Sequence, residues 1–317
     1  MRLDIDGRNC ELESGRSILD AVKKEGLDSI MLSDRPLAAQ IGGEVFNLRF
    51  TPKKDTQIHL LRYGEDMGRR VYERTLQFLF ILAMRKEFPR ARVCVRYSLG
   101  PGLFITVDGM EEPFNEEAAL KVETEMRRLV RLKLPLERRR ISIKEALSFY
   151  EQDGQADKAK LLKWRRFSYF DVYQIDGYMD YFYGEMAPDT SYADVFRVKY
   201  VHDGAVVLLM PRNDAPDVPS DYVDLPKLNA VFHQSDEWGR LMECATVNDL
   251  NTHIQNGTIR ELVRINEALH DRGYADIADK IVQKGAKAVL VAGPSSSGKT
   301  TSAHRISTQL RLQGCHP

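Results

Sequence analysis

Alternation between apolar and polar positions divides the chain into short β segments and longer helical ones. Leu3 and Ile5 alternate with charged neighbours, Asp6-Gly7 supplies a turn, and residues 9–12 read as a returning strand, so a hairpin opens the chain. Ser17 followed by Asp20 forms a capping box for a helix with the stripe Ile18, Leu19 and Val22, ending near Gly26. Strands are predicted over 37–41, 44–48 and 57–61, with Gly42-Gly43 turning between the first two. A long helix is predicted over 68–87, closed by Phe88-Pro89. Strands over 93–99 and 103–107, a helix over 115–132 and one or two helices over 143–164 follow. The aromatic-rich run 167–182, then 192–200 and 205–209, alternates as the strands of a mixed sheet. Two helical pieces, 259–268 and 275–282, flank Gly273 and lead to an apolar strand over 288–292 and a last helix over 301–312.

Composition narrows this picture only slightly. The 317 residues are 43% hydrophobic and 29% charged, ordinary globular material sufficient for two or three cores. A formal net charge of zero excludes a protein that grips nucleic acid by bulk electrostatics, while leaving local basic patches open. Cys10, Cys94, Cys244 and Cys315 show no C-x-x-C spacing, so they read as buried thiols in a reducing compartment rather than zinc ligands or disulfides. The N-terminus lacks a signal-peptide pattern and the best apolar stretch, 76–84, is far below spanning length, which points to a cytoplasmic protein without a membrane anchor.

The sharpest motif is Gly293-Pro294-Ser295-Ser296-Ser297-Gly298-Lys299-Thr300, of the form G-x-x-x-x-G-K-[ST], between the apolar strand and the last helix. Its glycines let backbone N–H groups curl around phosphates, Lys299 neutralises charge on the transferred group, and Thr300 offers a hydroxyl to Mg²⁺. Ser295, Ser296, Ser297 and Thr301 add side-chain hydrogen bonds, so ATP or GTP with Mg²⁺ is the expected ligand. A phosphotransferase also needs a second carboxylate, an acceptor site and a lid. None fits in the few residues after Thr300, and the sequence reads as the N-terminal portion of a longer protein.

Two further stretches carry family resemblances. Ala38-Ala39-Gln40-Ile41-Gly42-Gly43-Glu44 with Asn47-Leu48 resembles the TGS domain, a β-grasp module at the front of threonyl-tRNA synthetases and of some nucleoside kinases. The following region resembles the editing domain of threonyl-tRNA synthetases. That resemblance implies a metal site from an H-x-x-x-H and a C-x-x-x-H, but the matching positions hold Tyr72, Leu76, Phe182 and Met186, with Gly184 and Pro188 of the surrounding pattern retained. No zinc site is expected, and a residual editing hydrolase is disfavoured. A cleft lined by Tyr72, Glu73, Arg74, Tyr181, Tyr183 and Glu185 is one reading; a polar and aromatic packing layer is the other.

Basic residues cluster at Arg127, Arg128, Arg131, Lys133, Arg138, Arg139, Arg140 and Lys144. RNA or tRNA contact along Arg127–Lys144 competes with a solvated helix face and loop, given Glu116, Glu117, Glu123 and Glu125 just upstream. The segment 261–270 and the loop after it resemble the uridine kinase and phosphoribulokinase family, in a subgroup fused behind TGS and synthetase-like domains. The expected fold class is therefore multidomain α+β: a β-grasp domain (1–63), an editing-domain-like α+β domain (64–248), a helical connector (249–285) and the first strand, loop and helix of an α/β P-loop domain (286–317). The resemblance implies a kinase that transfers the γ-phosphoryl of ATP to the 5′-hydroxyl of a uridine-like nucleoside, with Lys299 as the catalytic residue. The alternative is a nucleotide-sensing module that binds RNA, tRNA or a small ligand without catalysis. Assembly as a homo-oligomer is left open.

Overall fold

The computed structural model describes residues 1–317. The chain is multidomain α+β with mixed sheets, and it divides into two compact units, Met1–Phe149 with Phe167–Pro226 and Tyr150–Arg166 with Lys227–Pro317. No helix is long and apolar enough to cross a membrane.

In the first unit, β1 (Arg2–Ile5) and β2 (Arg8–Glu11) form the opening hairpin, with Asp6 and Gly7 at φ of 50° and 82° in the tight turn. The capping box forms at α1 (Ile18–Lys24): Ser17 Oγ accepts the Asp20 N–H and the Asp20 carboxylate accepts the Ser17 N–H. With β3 (Ala38–Ile41), β4 (Glu44–Phe46) and β5 (Thr56–Leu61), the hairpin builds a five-stranded sheet of order β2-β1-β5-β3-β4, in which β1 and β5 run parallel. Leu3, Ile5, Ile58 and Leu60 pack from its inner face onto Ile18, Leu19 and Val22 of α1.

The helix α2 (Asp66–Glu87) buries Val71, Tyr72, Thr75, Leu76, Phe78, Leu79, Leu82 and Ala83, the stripe its periodicity requires. It ends before Phe88-Pro89, because a residue preceding proline is pushed out of the helical region. Next come β6 (Arg92–Leu99), β7 (Gly102–Asp108), α3 (Glu116–Leu132), β8 (Glu137–Ser142) and α4 (Ile143–Gln152). The unit closes with β9 (Tyr169–Ile175), β10 (Tyr178–Asp180), β11 (Arg197–His202), β12 (Ala205–Leu209) and the short pair β13 (Pro211–Arg212) and β14 (Ala215–Pro219). One antiparallel sheet has the order β11-β12-β7-β6, with Leu103, Ile105, Val206 and Leu208 sharing a core with α2 and α3. A smaller antiparallel sheet, β10-β9-β8, aligns Arg138 with Tyr173 and Arg140 with Asp171.

The second unit is helical: α5 (Ala156–Leu162), α6 (Pro226–Leu241), α7 (Val247–Asn256), α8 (Ile259–Gln283) and α9 (Lys299–Leu312). Gly273 does not split α8 as its sequence suggested; a helical glycine costs about 1 kcal/mol, too little to break a helix with favourable residues on both sides. Ala278 of α8 packs with Ile306 and Leu310 of α9. The strand expected over 288–292 is not formed: those residues take no regular structure and Leu290 is 95% exposed. A strand is held by ladder bonds to neighbours, and no other strand lies in this unit to supply them.

Candidate functional site

The segment 184–187 is laced along α2 by two hydrogen bonds, Arg74 Nε to the Glu185 carbonyl at 2.9 Å and the Ala187 N–H to Thr75 Oγ1 at 2.9 Å. This brings the four positions of the editing-site resemblance into one core. Tyr72 is wholly buried, its hydroxyl donating to Val195 O at 2.7 Å and accepting the Val195 N–H at 2.9 Å, and burial pushes the phenol well above its ordinary range. Leu76 and Met186 are also wholly buried, and the Phe182 ring lies 5.4 Å from that of Phe78. The Tyr72 oxygen is already paired with Val195 on both sides, Leu76 and Phe182 carry no donor and Met186 only a soft thioether, and no trio of His, Cys, Asp or Glu elsewhere is placed to hold a metal ion. Tyr72 therefore belongs to the core and does not line the expected cleft.

Beside this core, the outer end of the β8–β9 pair carries a charged network. Arg138 bonds Asp171 at 3.1 Å and also Glu185, while Arg140 bonds Asp171 through two nitrogens at 2.8 and 3.0 Å. The Arg140 bond, joined by that from Arg138, holds the Asp171 carboxyl below its ordinary value despite partial burial. The buried Tyr173 hydroxyl lies 3.0 Å from Glu185 Oε2 and accepts the Met186 N–H at 3.2 Å. On α2, burial pushes the Glu73 carboxyl up, and Gln77 donates to it at 3.0 Å.

The basic run thus resolves into three elements rather than one face and loop. Arg127 and Arg128 of α3 pair with Glu123 and Glu125 one turn earlier, and Lys133 ends that helix at φ 51°. Arg138 and Arg140 share a face of β8, whereas Arg139 points the other way and donates to Gln174 at 2.6 Å. One of these arginines lies over an aromatic ring. The Arg140 guanidinium sits 4.1 Å from the Tyr169 ring centroid, Phe167 lies 5.9 Å from Tyr169, and Tyr181 and Tyr183 meet edge-on at 5.7 Å. Tyr183 is 74% exposed, Phe167 62% and Tyr169 39%. The sequence shows 167–182 as aromatic but not which rings face solvent, and Asp171, the hub of the network, carries no local signal because its partners lie 31 and 33 residues away.

In the second unit, the loop Gly293 to Thr301 is open to solvent apart from a half-buried Lys299. Gly298 adopts φ 79° to enter α9, and Lys299 Nζ donates to the Pro294 carbonyl at 2.6 Å, closing the loop on itself. Ser296, at φ 60°, gives the loop a second left-handed residue.

No family model matches this sequence. Curated relatives exist over part of it. The chain is 25% identical over 194 residues to the threonine–tRNA ligase of Clostridium kluyveri, covering 61% of this chain and 30% of that protein. It is 27% identical over 175 residues to the ligase of Carboxydothermus hydrogenoformans (53% and 26%), and 28% identical over 160 residues to that of Acetivibrio thermocellus (50% and 24%). The chain spans less than a third of the length of these relatives. They overturn the expectation of a P-loop nucleoside kinase with a uridine-like substrate, since the proteins this chain resembles are ligases, and the strand that such a loop needs is not formed. What the comparisons establish is a similarity, over half or more of this sequence, to part of threonine–tRNA ligases.

Proposed function

We propose that this chain is a non-catalytic RNA-binding module with tRNA as its favoured partner. The observation that carries this reading is the solvent-facing surface of the β8–β9 pair, where the Arg140 guanidinium lies over exposed Tyr169, with exposed Phe167 next to that ring and Arg138 on the same face of β8. Aromatic faces accept unstacked bases, and guanidinium groups contact phosphate or stack with the bases themselves. The similarity to threonine–tRNA ligases supports RNA as the partner and tRNA as the class. Replacement of the four ligand positions by Tyr72, Leu76, Phe182 and Met186 argues against hydrolysis at this site. Within this reading, residues 1–63 are a TGS-like β-grasp domain, 64–248 an editing-domain-like region that has kept its fold and lost its metal, and 249–285 a connector.

The loop Gly293 to Thr301 is the nucleotide element of the same proposal. It would take the phosphates of ATP or GTP, with Lys299 as the cation and Thr300 on Mg²⁺, and serve sensing rather than transfer. The test of the RNA reading is fluorescence anisotropy with tRNA and with duplex DNA of equal charge at two salt concentrations. Preference for tRNA, weakened together by Arg140→Gln and Tyr169→Leu, supports it; equal binding of both, or none, removes it.

A further inference from the structure

Other arginines of the first unit that are buried or half-buried hand their terminal nitrogens to a protein acceptor. Arg35 bonds Asp194, Arg62 bonds Asp6 and Arg127 bonds Glu123. Arg74 differs. Its Nε is committed to the Glu185 carbonyl, but Nη1 and Nη2 have no protein acceptor and are not sealed from solvent. Burial lowers its pKa, the mark of a cation whose surroundings do not fully compensate it. A guanidinium fixed by one nitrogen and open at the other two presents a fork whose geometry matches an oxyanion.

The neighbouring backbone is built around that fork. Gly184, at φ 105°, lies against the guanidinium so closely that a Cβ there would fall 2.9 Å from Cζ and 3.1 and 3.2 Å from the two terminal nitrogens. Only glycine lets the chain cover the guanidinium without displacing it. Gly184 also fixes what comes next to the fork, because its preceding residue is Tyr183, the most exposed aromatic ring of the chain. The charges around Arg74 are of both signs: Arg70 stands one turn earlier on α2, the Glu185 carboxylate is engaged by Arg138 and Tyr173, and Glu73 lies beside it with its carboxyl pushed up by burial.

We infer that Arg74, packed against Gly184, and Tyr183, the exposed residue before it, form a one-nucleotide clamp for single-stranded RNA: the Arg74 fork takes a backbone phosphate and the Tyr183 ring takes a base. This inference rests on the RNA-binding reading and names where an unpaired segment of that RNA is held. Bases stack on exposed tyrosines without sequence demand, while a guanidinium fork contributes one phosphate contact.

The experiment is anisotropy titration of the full chain with a single-stranded RNA pentanucleotide, with tRNA, and with adenosine monophosphate, for the native protein and three variants whose melting temperatures are checked. Arg74→Gln is expected to weaken the pentanucleotide about tenfold and to lower the slope of log K against log salt by about one. Gly184→Ala keeps every charge but pushes the fork aside, and should reproduce most of that loss; Tyr183→Leu should weaken binding about tenfold with the salt slope unchanged. Pentanucleotide binding that Arg74→Gln and Gly184→Ala leave intact overturns the clamp, even where tRNA binding by the native protein upholds the module. Adenosine monophosphate bound as tightly as the pentanucleotide also overturns it, by making the fork a site for free phosphomonoesters. Failure to bind either RNA removes the underlying reading and the clamp with it.

Discussion

Thr75 Oγ1 accepts the Ala187 N–H at 2.9 Å while donating to Val71 O at 2.8 Å, so a single buried hydroxyl ties the 184–187 segment to α2. Thr75→Val is close in shape but leaves a buried amide without an acceptor. It should cost about 1–3 kcal/mol in urea unfolding, against about 1 for Thr75→Ser, which keeps the hydroxyl. If both substitutions cost the same, the hydroxyl is not the tie.

Arg35 holds the loop before β3 against the residues before β11. Its side chain is 9% exposed and reaches Asp194 Oδ1 at 2.8 Å and Oδ2 at 3.0 Å, with Nε on Ser29 O at 3.1 Å. Arg35→Met strands the Asp194 carboxylate and should destabilise by roughly 3 kcal/mol, while Arg35→Met with Asp194→Leu should recover much of the loss. Chemical denaturation of the double-mutant cycle decides this: additive losses would mean that the two side chains act independently.

The His59 ring nitrogens face two carboxylates, Nδ1 at 2.9 Å from Asp6 and Nε2 at 2.6 Å from Glu65, so the protonated ring donates to both, and Arg62 also reaches Asp6. The Glu65 bond and then the Asp6 bond raise the imidazole above its ordinary 6.5. A raised pKa gives stability that is full below 6.5 and is lost as pH rises through the folded value. Asp6 has the opposite sign. Burial raises it, but the Leu60 amide, His59 and Arg62 together hold it below 3.8, so its contribution is present above 3.8 and is lost as pH falls through the folded value. Melting temperature should therefore be highest between about pH 4 and 6.5 and decline on both sides. His59→Gln should flatten the alkaline decline, and an unchanged alkaline limb in that variant would assign it to other groups.

What was legible in the sequence was local. The Ser17–Asp20 capping box and the Gly42-Gly43 turn are each decided within four residues, and both form. The α2 stripe was legible because one period repeats over 22 residues. Partners distant in sequence were not. Arg138 read as part of a basic run, yet its charge is met by Asp171 and Glu185, 33 and 47 residues onward. The same holds for residues 288–292, whose β-branched and apolar pattern fits a strand but cannot provide the neighbours that a strand needs. Tyr72 and Arg74 read together as cleft residues, although positions two apart on a helix point about 200° apart; one enters the core and the other reaches Glu185.

The nucleotide loop can be tested without any assay of turnover. In the structure, Lys299 Nζ donates to the Pro294 carbonyl at 2.6 Å, an exposed bond that a phosphate oxygen would replace with a charge-assisted one. Calorimetry should then show ATP binding in the presence of Mg²⁺, weakened tenfold or more by Lys299→Ala. Thr300 is exposed and its hydroxyl is the proposed Mg²⁺ contact, so Thr300→Ala should remove the dependence on Mg²⁺ while leaving a weaker, metal-independent binding. Gly298 carries a third arm, because its φ of 79° lets the loop enter α9; Gly298→Val should weaken binding by strain, with no charge removed. Equal ATP affinity in the native protein and Lys299→Ala would mean that the loop is only the turn that starts a helix.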